Sequence, residues 1–495
     1  MASEFKNFID GRWRDAAGGK RFENRNPANW DELIGTFPDS GAEDVDLAVK
    51  SAAAAYESWR LTPAPKRGEI IKRAGDLLVQ HKEEIAREMT REMGKVLLET
   101  RGDVQEGIDT AYYAATEGRR LFGFTAPSEL PDKFNLSVRL PIGVAGVITP
   151  WNFPMAIPTW KILPALVCGN TVVFKPAEDT PATAARLVEI LLEAGLPDKV
   201  LQLVNGNGPS AGMPLVEHSG VKLISFTGST QVGKLISATA SKDLKRVSLE
   251  LGGKNAQIVM PDADLDLALE GVLWGAFGTA GQRCTATSRL ILHEAIHDKF
   301  MALLIKRAEK LRLGNGLEPT AEVGPVINQK QLDKILSYIR VGKDEGAKLE
   351  TGGERYNDGA CRNGFFIRPT IFSQVDPEMR IAKEEIFGPV LAVIKIKSLD
   401  EAICVLNNTK YGLSSSLYTR DVNAAFKAIR DIEAGITYIN GPTIGAEAHM
   451  PFGGVKETGN GHREGGWPVY EFFTEIKTVF VDYSGKLQRA QIDNQ

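Results

Sequence analysis

Short apolar runs that alternate with helical patterns constrain the fold of this chain more than any other feature of its sequence. Five runs are typical of buried strands: 144–148, 171–174, 200–204, 223–226 and 247–251. A helical pattern over 180–194 separates the second run from the third. After Gly252-Gly253 the alternation resumes, with a helix over 263–277, a strand over 290–292 and a helix over 296–313. Strands that alternate with helices predict parallel, doubly wound sheets, here in two α/β halves that meet near residue 253.

Four stretches lie outside this alternation. Residues 5–40 show the pattern of short strands and turns, and residues 41–121 show apolar spacing typical of helices. The strand-like segments 133–140 and 477–483 are separated from both α/β halves. We expect these two segments to pair across subunits.

The bulk composition excludes several classes of protein. The chain has 495 residues and a formal charge of −4, so no broad basic surface favours nucleic acid or anionic membrane. The most apolar region, 140–174, is interrupted by prolines and a lysine, which argues against a spanning helix. Four cysteines without a CxxC pair and an N-terminus without an apolar signal core predict a cytoplasmic protein.

A thiol in a glycine-rich loop is the first candidate for chemistry. Cys284 lies in Gly278-Thr279-Ala280-Gly281-Gln282-Arg283-Cys284-Thr285, just before the apolar run at 290–292. Glycines allow close approach to a reacting carbonyl group, and cationic neighbours favour the thiolate. The same residues also suit a small apolar side chain buried at a turn.

Polar side chains follow two of the predicted strands. Asn152 ends the first strand in the turn Thr149-Pro150-Trp151-Asn152-Phe153-Pro154, and Lys175 with Glu178 ends the second. Because ligands of open α/β sheets bind beyond the carboxyl ends of strands, Asn152 suits an oxyanion donor and the Lys–Glu pair suits a nucleotide ribose. A turn asparagine that caps the backbone and a solvated ion pair remain the alternatives.

Two glycine-rich stretches favour phosphate binding. Residues 206–211 match GxGxxA after a strand, although Pro209 is unusual at a helix start. Residues 226–235 approach a P-loop, but Leu235 replaces the Ser or Thr that would bind Mg²⁺. A strand, a Gly-Ser turn and a helix N-terminus therefore predict a site for one pyrophosphate rather than a nucleotide hydrolase.

Two further motifs carry acidic or histidine side chains. Glu250 ends a strand beside Gly252-Gly253, where burial would raise its pKa and suit it to general-base work; a surface glutamate is the alternative. His293 and His297 spell HExxH, the helix motif of zinc peptidases. His293 closes the predicted strand, so the two histidines would not share a helix face, and we predict no metal site.

Seven stretches, taken together, carry a family resemblance: PWNFP (150–154), FKPAE (174–178), FTGSTQVG (226–233), LELGGK (249–254), GQRC (281–284), EEIFGPV (384–390) and PFGGVK (451–456). Their order and spacing resemble the aldehyde dehydrogenase superfamily over essentially the whole chain. The resemblance implies a Rossmann-type cofactor domain (1–121 and 142–252), an α/β catalytic domain (253–452) and a small β oligomerisation arm (122–141 and 470–495). It also implies a homodimer or a homotetramer.

The resemblance assigns roles to the candidate residues. Cys284 would be the nucleophile, Asn152 and the Cys284 N–H the oxyanion hole, and Glu250 the base for the deacylating water. NAD, with NADP as an alternative, would contact the following residues: Thr149, Trp151, Lys175, Glu178, Gly208, Gly212, Phe226, Gly228, Ser229, Val232, Leu251, Glu385 and Phe387. Substrate contacts would come from Phe153, Trp160, Arg283 and Phe452.

The chain departs from the family pattern at two places that bear on the substrate. His462 is an extra residue in the motif after PFGG, near the mouth of the implied active site. Arg283 directly precedes the thiol, where it could lower the thiol pKa, pair with a substrate carboxylate, or bridge loops. The chain most resembles the branch that oxidises α-ketoglutarate semialdehyde, so we expect a small semialdehyde bearing a carboxylate; broad aliphatic specificity is the alternative.

Overall fold

The computed structural model describes residues 3–493 and contains the predicted Rossmann-type sheet. Its seven strands lie in this order: Arg246–Glu250, Val221–Thr227, Val144–Ile148, Thr171–Lys175, Leu201–Leu203, Asn7–Ile9 and Arg12–Arg14. The first five strands are parallel, and the last two form an antiparallel hairpin at the edge. The parallel strands are buried on both faces, which explains why the sequence shows them as continuous apolar runs.

A second seven-stranded sheet lies in the other half of the chain. Its order is Lys348–Thr351, Thr370–Ser373, Val390–Ile396, Arg289–His293, Ala256–Val259, Ser414–Tyr418 and Ile436–Ile439. Only its first pair is antiparallel. Along the sequence, the first sheet ends with the strand Arg246–Glu250 and the second sheet begins with the strand Ala256–Val259. The predicted meeting point, residue 253, lies between these two strands.

Helices cover the faces of both sheets. Those in the first half are Ala42–Leu61, Ala64–Gln80, Lys82–Met93, Leu97–Glu117, Ala156–Cys168, Pro181–Glu193, Met213–Glu217 and Thr230–Ala240. Those in the second half are Leu265–Phe277, His297–Ala308, Gln329–Asp344, Arg380–Lys383, Leu399–Asn407, Val422–Asp431 and Pro468–Phe472. The predicted helix over 296–313 was too long: it ends at Ala308, where turns closed by Lys310 and Leu311 N–H groups replace the helical pattern.

The strands outside the α/β alternation form a separate three-stranded sheet. Thr474–Asp482 pairs antiparallel with Lys133–Pro141, which pairs with Thr125–Pro127. The two strand-like segments predicted from the sequence therefore pair with each other over nine residues within one chain, and their pairing across subunits stays a prediction. Smaller sheets join Ser3–Glu4, Leu33–Pro38 and Arg21–Arg25, and Tyr411–Gly412 with Val455–Lys456. The outer limits of the predicted domains, residues 1–2 and 494–495, lie outside the described residues.

Candidate active site

Cys284 follows a tight turn whose backbone is held in an unusual conformation. Thr279 and Ala280 have φ angles of 53° and 52°, in a left-handed region that side-chain-bearing residues occupy only where their surroundings hold them. Gly281 follows with a φ of 68°, and a Cβ atom there would come within 2.2 Å of the Gly388 carbonyl oxygen. The backbone conformation of the turn before Cys284 is therefore tightly constrained.

Two buried amide side chains fix this loop on either side of the thiol. Asn255 donates from Nδ2 to the Cys284 carbonyl oxygen at 2.7 Å, and its Oδ1 accepts from the Ser414 N–H at 2.9 Å. Gln282 donates from Nε2 to the Thr279 carbonyl oxygen at 3.1 Å. The backbone around Cys284 is thus anchored to the second sheet by hydrogen bonds rather than by the loop alone.

Asn152 reaches the same loop from the first sheet. It lies in the Pro-bracketed turn after the strand Val144–Ile148, and its side chain is buried. Its Nδ2 donates to the carbonyl oxygen of Gln282 at 3.1 Å, two residues before Cys284 in the chain. Because an amide nitrogen carries two hydrogens, a second N–H remains for an oxygen atom beside the thiol.

Glu250 ends the edge strand of the first sheet and is almost fully buried. Neither of its carboxylate oxygens has a hydrogen-bond partner among residues 3–493. Burial raises its pKa well above the usual value, repulsion from Glu464 raises it further, and Lys161 with Arg463 partly offsets both. A carboxyl group with free oxygens and a raised pKa suits a general base that works near neutral pH.

Cys284 and Glu250 both line one cavity of about 700 Å³. The four residues predicted to contact substrate line it as well: Phe153, Trp160, Arg283 and Phe452. The rings of Trp160 and Phe452 pack with their centroids 4.8 Å apart, and the Trp160 Nε1 has no partner within the described part of the chain. The cavity therefore offers apolar walls, and the Trp160 Nε1 provides an N–H donor without a partner in the described chain.

The expectation that cationic neighbours favour the Cys284 thiolate was wrong. Burial raises the pKa of the thiol to about 12, and the carboxylates of Glu250 and Glu385 add to the rise. The backbone N–H groups of Cys284 and Thr285 lower it in part. Burial therefore favours the neutral thiol, although two backbone N–H donors stabilise the ionised form in part.

Arg283 does not counter this effect because its side chain turns away from the thiol. Its Nη2 donates to Glu99 Oε1 at 3.0 Å and its Nε to Thr279 Oγ1 at 2.9 Å. The guanidinium carbon lies 4.8 Å from the centroid of the Trp274 ring. Of the roles considered for Arg283, lowering the thiol pKa was wrong.

Alkylation of the ligand-free protein tests the raised thiol pKa. Because the thiolate is the reactive form, we expect the rate at which iodoacetamide modifies Cys284 to rise with pH and to keep rising beyond pH 9, since its pKa is about 12. Mass spectrometry of the peptide that contains Cys284, after timed quenching between pH 6 and 10, measures this rate. A plateau below pH 9 would contradict the assigned environment.

The residues predicted to hold the nucleotide ribose lie at the carboxyl end of a central strand. Lys175 is buried and Glu178 is half-exposed, with Lys175 Nζ 3.3 Å from Glu178 Oε2. Burial lowers the pKa of Lys175, and Glu178 opposes this change. The Thr149 N–H donates to the Lys175 carbonyl oxygen at 3.3 Å, so two adjacent strand ends present their side chains together.

The predicted pyrophosphate turn is a strand, a short turn and a helix N-terminus. Phe226 lies in the strand Val221–Thr227, and the Gly228 N–H donates to the Glu250 carbonyl oxygen at 3.0 Å. Ser229 caps the following helix by accepting from the Val232 N–H at 3.4 Å. Nearby, Gly208 and Gly212 begin and end a wide helical turn after the strand Leu201–Leu203.

The residues predicted near the nicotinamide lie between the two sheets. Glu385 Oε1 accepts from the Gly253 N–H at 3.0 Å. Phe387 has a left-handed φ of 61°, and its ring meets that of Trp151 edge-on at 5.5 Å. Leu251 is buried at the end of the first sheet. These side chains come from distant parts of the sequence. Glu385 lies close enough to Cys284 for its carboxylate to raise the pKa of the thiol.

The HExxH residues do not form a helical motif. His293 ends the strand Arg289–His293, whereas His297 begins the helix His297–Ala308. The His297 ring contacts Asp298 at 2.7 Å. Within residues 3–493, no group of three His, Cys, Asp or Glu side chains is placed to bind a metal ion, and this geometry gives no support to a zinc peptidase.

Several residues of the site were missed by sequence reasoning. Lys161 and Glu464 form a buried ion pair of 2.6 Å close to Glu250. Glu99 and Asn255 hold the thiol loop. Glu464 lies in the stretch with the extra residue His462, and that stretch pairs with the strand of Glu250 through a bridge to Gly459. Glu464 lies in a family motif and Asn255 directly follows one, whereas Glu99 and Lys161 lie outside the seven stretches and gave no sequence signal.

Comparison with known proteins identifies the family. The profile of the aldehyde dehydrogenase family matches residues 13–479. Alpha-ketoglutaric semialdehyde dehydrogenase of Bacillus subtilis (strain 168) is 45% identical over 477 residues, which cover 96% of this chain and 98% of the relative. Aldehyde dehydrogenase 1A1 of Mus musculus is 45% identical over 486 residues, which cover 97% and 95%.

Structural comparison agrees with the sequence relatives. Betaine aldehyde dehydrogenase of Staphylococcus aureus, crystallised in complex with NAD+, superposes with a TM-score of 0.95 at 36% identity and covers 97% of this chain and 96% of that one. The chain therefore belongs to the aldehyde dehydrogenase family and is an enzyme of that class. No helix within residues 3–493 is both long and apolar enough to cross a membrane.

Proposed function

We propose that this enzyme oxidises an aldehyde to the free carboxylic acid with NAD+ through a covalent intermediate on Cys284. The observation that carries the proposal is that Cys284 and Glu250 line one cavity, while Asn152 is bonded to the loop that bears the thiol. A nucleophile, an oxyanion donor and a base are the three groups that acyl transfer through a thioester requires.

The Cys284 thiol loses its proton to solvent, and the thiolate then adds to the carbonyl carbon of the aldehyde and forms a thiohemiacetal. The free N–H of Asn152 and the backbone N–H of Cys284 donate to the oxyanion that develops. NAD+, when bound, supplies the hydride acceptor for the oxidation, which leaves a thioester on the sulfur. Glu250 then takes a proton from water, the hydroxide adds to the thioester carbonyl, and the thiolate leaves as the carboxylic acid forms.

The environment of Glu250 favours water as the final acceptor of the acyl group. Both of its oxygens are free of partners within the described chain, and its pKa is raised above the usual value. A base in this position can remove a proton from water. Transfer of the acyl group to a thiol cofactor would not need such a base. We therefore propose hydrolysis to the free acid.

The donor set at the first sheet fits a dinucleotide. Lys175 has one carboxylate partner, Glu178, so its ammonium group keeps donors for ribose hydroxyls, and Glu178 offers an acceptor. The helix that Ser229 caps begins at the turn, and its N-terminus suits a pyrophosphate. Because Glu178 would repel a 2′-phosphate, we propose NAD as the preferred cofactor, with NADP as the alternative. Glu385 and Phe387 would hold the nicotinamide half.

For the substrate we propose a small semialdehyde that carries a carboxylate. Two observations support this choice: the name of the Bacillus subtilis relative and the position of Arg283 on the cavity wall. The Nη1 of Arg283 makes no hydrogen bond to any other part of residues 3–493, whereas Nε and Nη2 do. Those unused donors can pair with a carboxylate at the far end of the substrate.

Broad aliphatic specificity remains a second candidate because of the other residues on the cavity wall. Asp109 and Glu447 also line the cavity and disfavour substrates of high negative charge. Phe153, Trp160 and Phe452 provide apolar surface suited to an alkyl chain.

A panel of aldehydes with and without an ω-carboxylate, each assayed with NAD+ and with NADP+, tests the substrate and cofactor together. We expect kcat/KM to be about tenfold to a hundredfold higher for a five-carbon ω-carboxylate aldehyde than for the uncharged aldehyde of equal length, the value of one charge-assisted contact. The Arg283→Lys variant should lose most of this preference. Equal values for both aldehydes would favour broad aliphatic specificity.

Removing the side-chain oxyanion donor should slow the chemical step. For Asn152→Ala we expect kcat to fall roughly 10²–10³-fold, because one preorganised donor to the oxyanion is lost. Stopped-flow measurement of NADH formation separates this step from product release. The exposed Asn423→Ala, on the helix Val422–Asp431, serves as control and should not change kcat. A fall of less than threefold for Asn152→Ala would remove it from the oxyanion site.

We also propose the domain division implied by the family: cofactor domain 1–121 and 142–252, catalytic domain 253–452, and arm 122–141 and 470–495. The arm exposes apolar side chains on its edge strand, namely Ile476, Phe480 and Val481. Exposed apolar residues on an edge strand favour association, so we propose a homodimer or a homotetramer.

A further inference from the structure

Glu99 lies at the start of the helix Leu97–Glu117, and its buried carboxylate meets the loop that carries the thiol. The proposed function gives Glu99 no role. We propose that Glu99 is a positioning residue, which holds the left-handed turn before Cys284 and directs Arg283 away from the sulfur. This inference rests on the proposed role of Cys284 as nucleophile.

One oxygen atom makes both contacts. Oε1 of Glu99 accepts from the Thr279 N–H at 2.7 Å and from Arg283 Nη2 at 3.0 Å. The two contacts bracket the turn, since Thr279 begins it and Arg283 directly precedes the thiol. Arg283 Nε returns to Thr279 Oγ1 at 2.9 Å, which closes a ring of hydrogen bonds around the turn.

The turn needs such support because of its backbone. Thr279 and Ala280 both have left-handed φ angles, and each residue of this kind is disfavoured unless its surroundings fix it. The Thr279 N–H is buried with the turn, so its only acceptor among the described groups is the Glu99 carboxylate. A buried charged acceptor is the stronger kind of partner for an N–H group. Without Glu99 the turn would relax and carry the sulfur with it.

Contact with Arg283 has a second effect on the site. Glu99 and the Trp274 ring draw the guanidinium onto the helix that precedes the loop, with the guanidinium carbon 4.8 Å from the ring centroid. The side chain next to the nucleophile is therefore fixed, and its remaining donors face the cavity. Glu99 thus sets both the position of the thiol and the direction of the group proposed to meet the substrate.

Two measurements on Glu99→Ala and Glu99→Gln test this role. The first is the rate at which iodoacetamide alkylates Cys284 without substrate or cofactor. The second is the kcat and KM for propanal, which does not engage Arg283. For Glu99→Ala we expect about a 10²-fold fall in kcat with KM unchanged, the cost of a small misplacement of a reacting atom, and a parallel fall in alkylation.

Glu99→Gln keeps an acceptor for the Thr279 N–H, so it should recover both rates to within about tenfold of the unsubstituted enzyme. The control is Glu83→Gln, which removes an exposed carboxylate that also binds two arginines, Arg87 and Arg101, and should leave both rates unchanged. If Glu99→Ala does not fold, alkylation of Glu99→Gln decides: loss of the charged acceptor should slow it about threefold to tenfold relative to the control, and a rate equal to that of the control would overturn the role.

Alkylation and kcat of both Glu99 variants equal to those of the control would overturn the positioning role. So would a loss expressed only in KM, or a Gln variant as slow as the Ala variant while its thermal unfolding is unchanged. Alkylation reports on Cys284 without turnover, so this outcome is distinct from failure of the proposed function, which would show as aldehyde oxidation that persists without the thiol.

Discussion

Replacing Cys284 with alanine is expected to abolish aldehyde-dependent NADH formation, by at least about 10⁴-fold, because no thioester can form without the nucleophile. Asn152 and Glu250 would remain in place but would have no covalent intermediate to act on. Absorbance at 340 nm with saturating aldehyde and NAD+ measures the loss.

The matched control is Cys404→Ala, since Cys404 is an exposed cysteine on the helix Leu399–Asn407. It should retain full activity. Turnover by Cys284→Ala at the rate of the control would refute the assignment of the nucleophile, whatever the substrate proves to be.

The second large effect is expected at Glu250. Glu250→Gln should lower the steady-state rate about 10²–10⁴-fold, the range for loss of a general base, while a first burst of NADH remains. The burst survives because formation of the thioester needs the thiol and the oxyanion donors, whereas its hydrolysis needs the base. Rapid-mixing measurement of NADH with saturating aldehyde resolves the two phases.

The pH dependence of the steady-state rate provides an independent check on the role of Glu250. Because the pKa of Glu250 is raised, its carboxylate form, which accepts the proton, increases as pH rises through that pKa. The steady-state rate of the native enzyme should therefore rise with pH where hydrolysis limits turnover, and Glu250→Gln should lose this rise. The control Glu270→Gln, an exposed residue paired with Arg307, should keep the burst, the steady-state rate and the pH profile. Loss of the burst in Glu250→Gln, or an unchanged steady state, would contradict the role.

Much of the fold could be predicted because its determinants are local. The strand Val144–Ile148 was predicted with its correct limits, since a parallel strand covered on both faces must be apolar throughout. The helix Leu265–Phe277 was found to within two residues of its start. The family and the Rossmann-type architecture predicted from seven motifs are confirmed. Short-range patterns were sufficient for these features.

The features of the site that were predicted wrongly depend on residues that are distant in the sequence. Arg283 was considered as a group that lowers the thiol pKa because it is adjacent in the chain. Its carboxylate partner, Glu99, lies 184 residues away and turns the guanidinium aside. The pKa of Cys284 rises because the thiol is partly buried and lies close to Glu250 and Glu385, which only tertiary packing brings near. No local pattern encodes such contacts.

Two other features show the same limit. The arm strands were recognised as strands, but their pairing with each other within the chain depends on how distant segments fold together. The ion pair of Lys161 and Glu464, which joins residues 303 positions apart, gave no signal beyond a motif with one extra residue. The residues proposed to act directly lie in motifs, whereas the residues proposed to hold them in place are dispersed along the chain.

Peptide mapping of Glu250→Gln, quenched in acid during turnover with aldehyde and NAD+, tests the central claim most directly. We expect the acyl group, as a thioester, on the peptide that contains Cys284 and on none of the peptides with Cys168, Cys361 or Cys404. An unmodified Cys284 peptide while NADH is being formed, or an acyl group on another cysteine, would contradict the proposal that the aldehyde is oxidised on this sulfur.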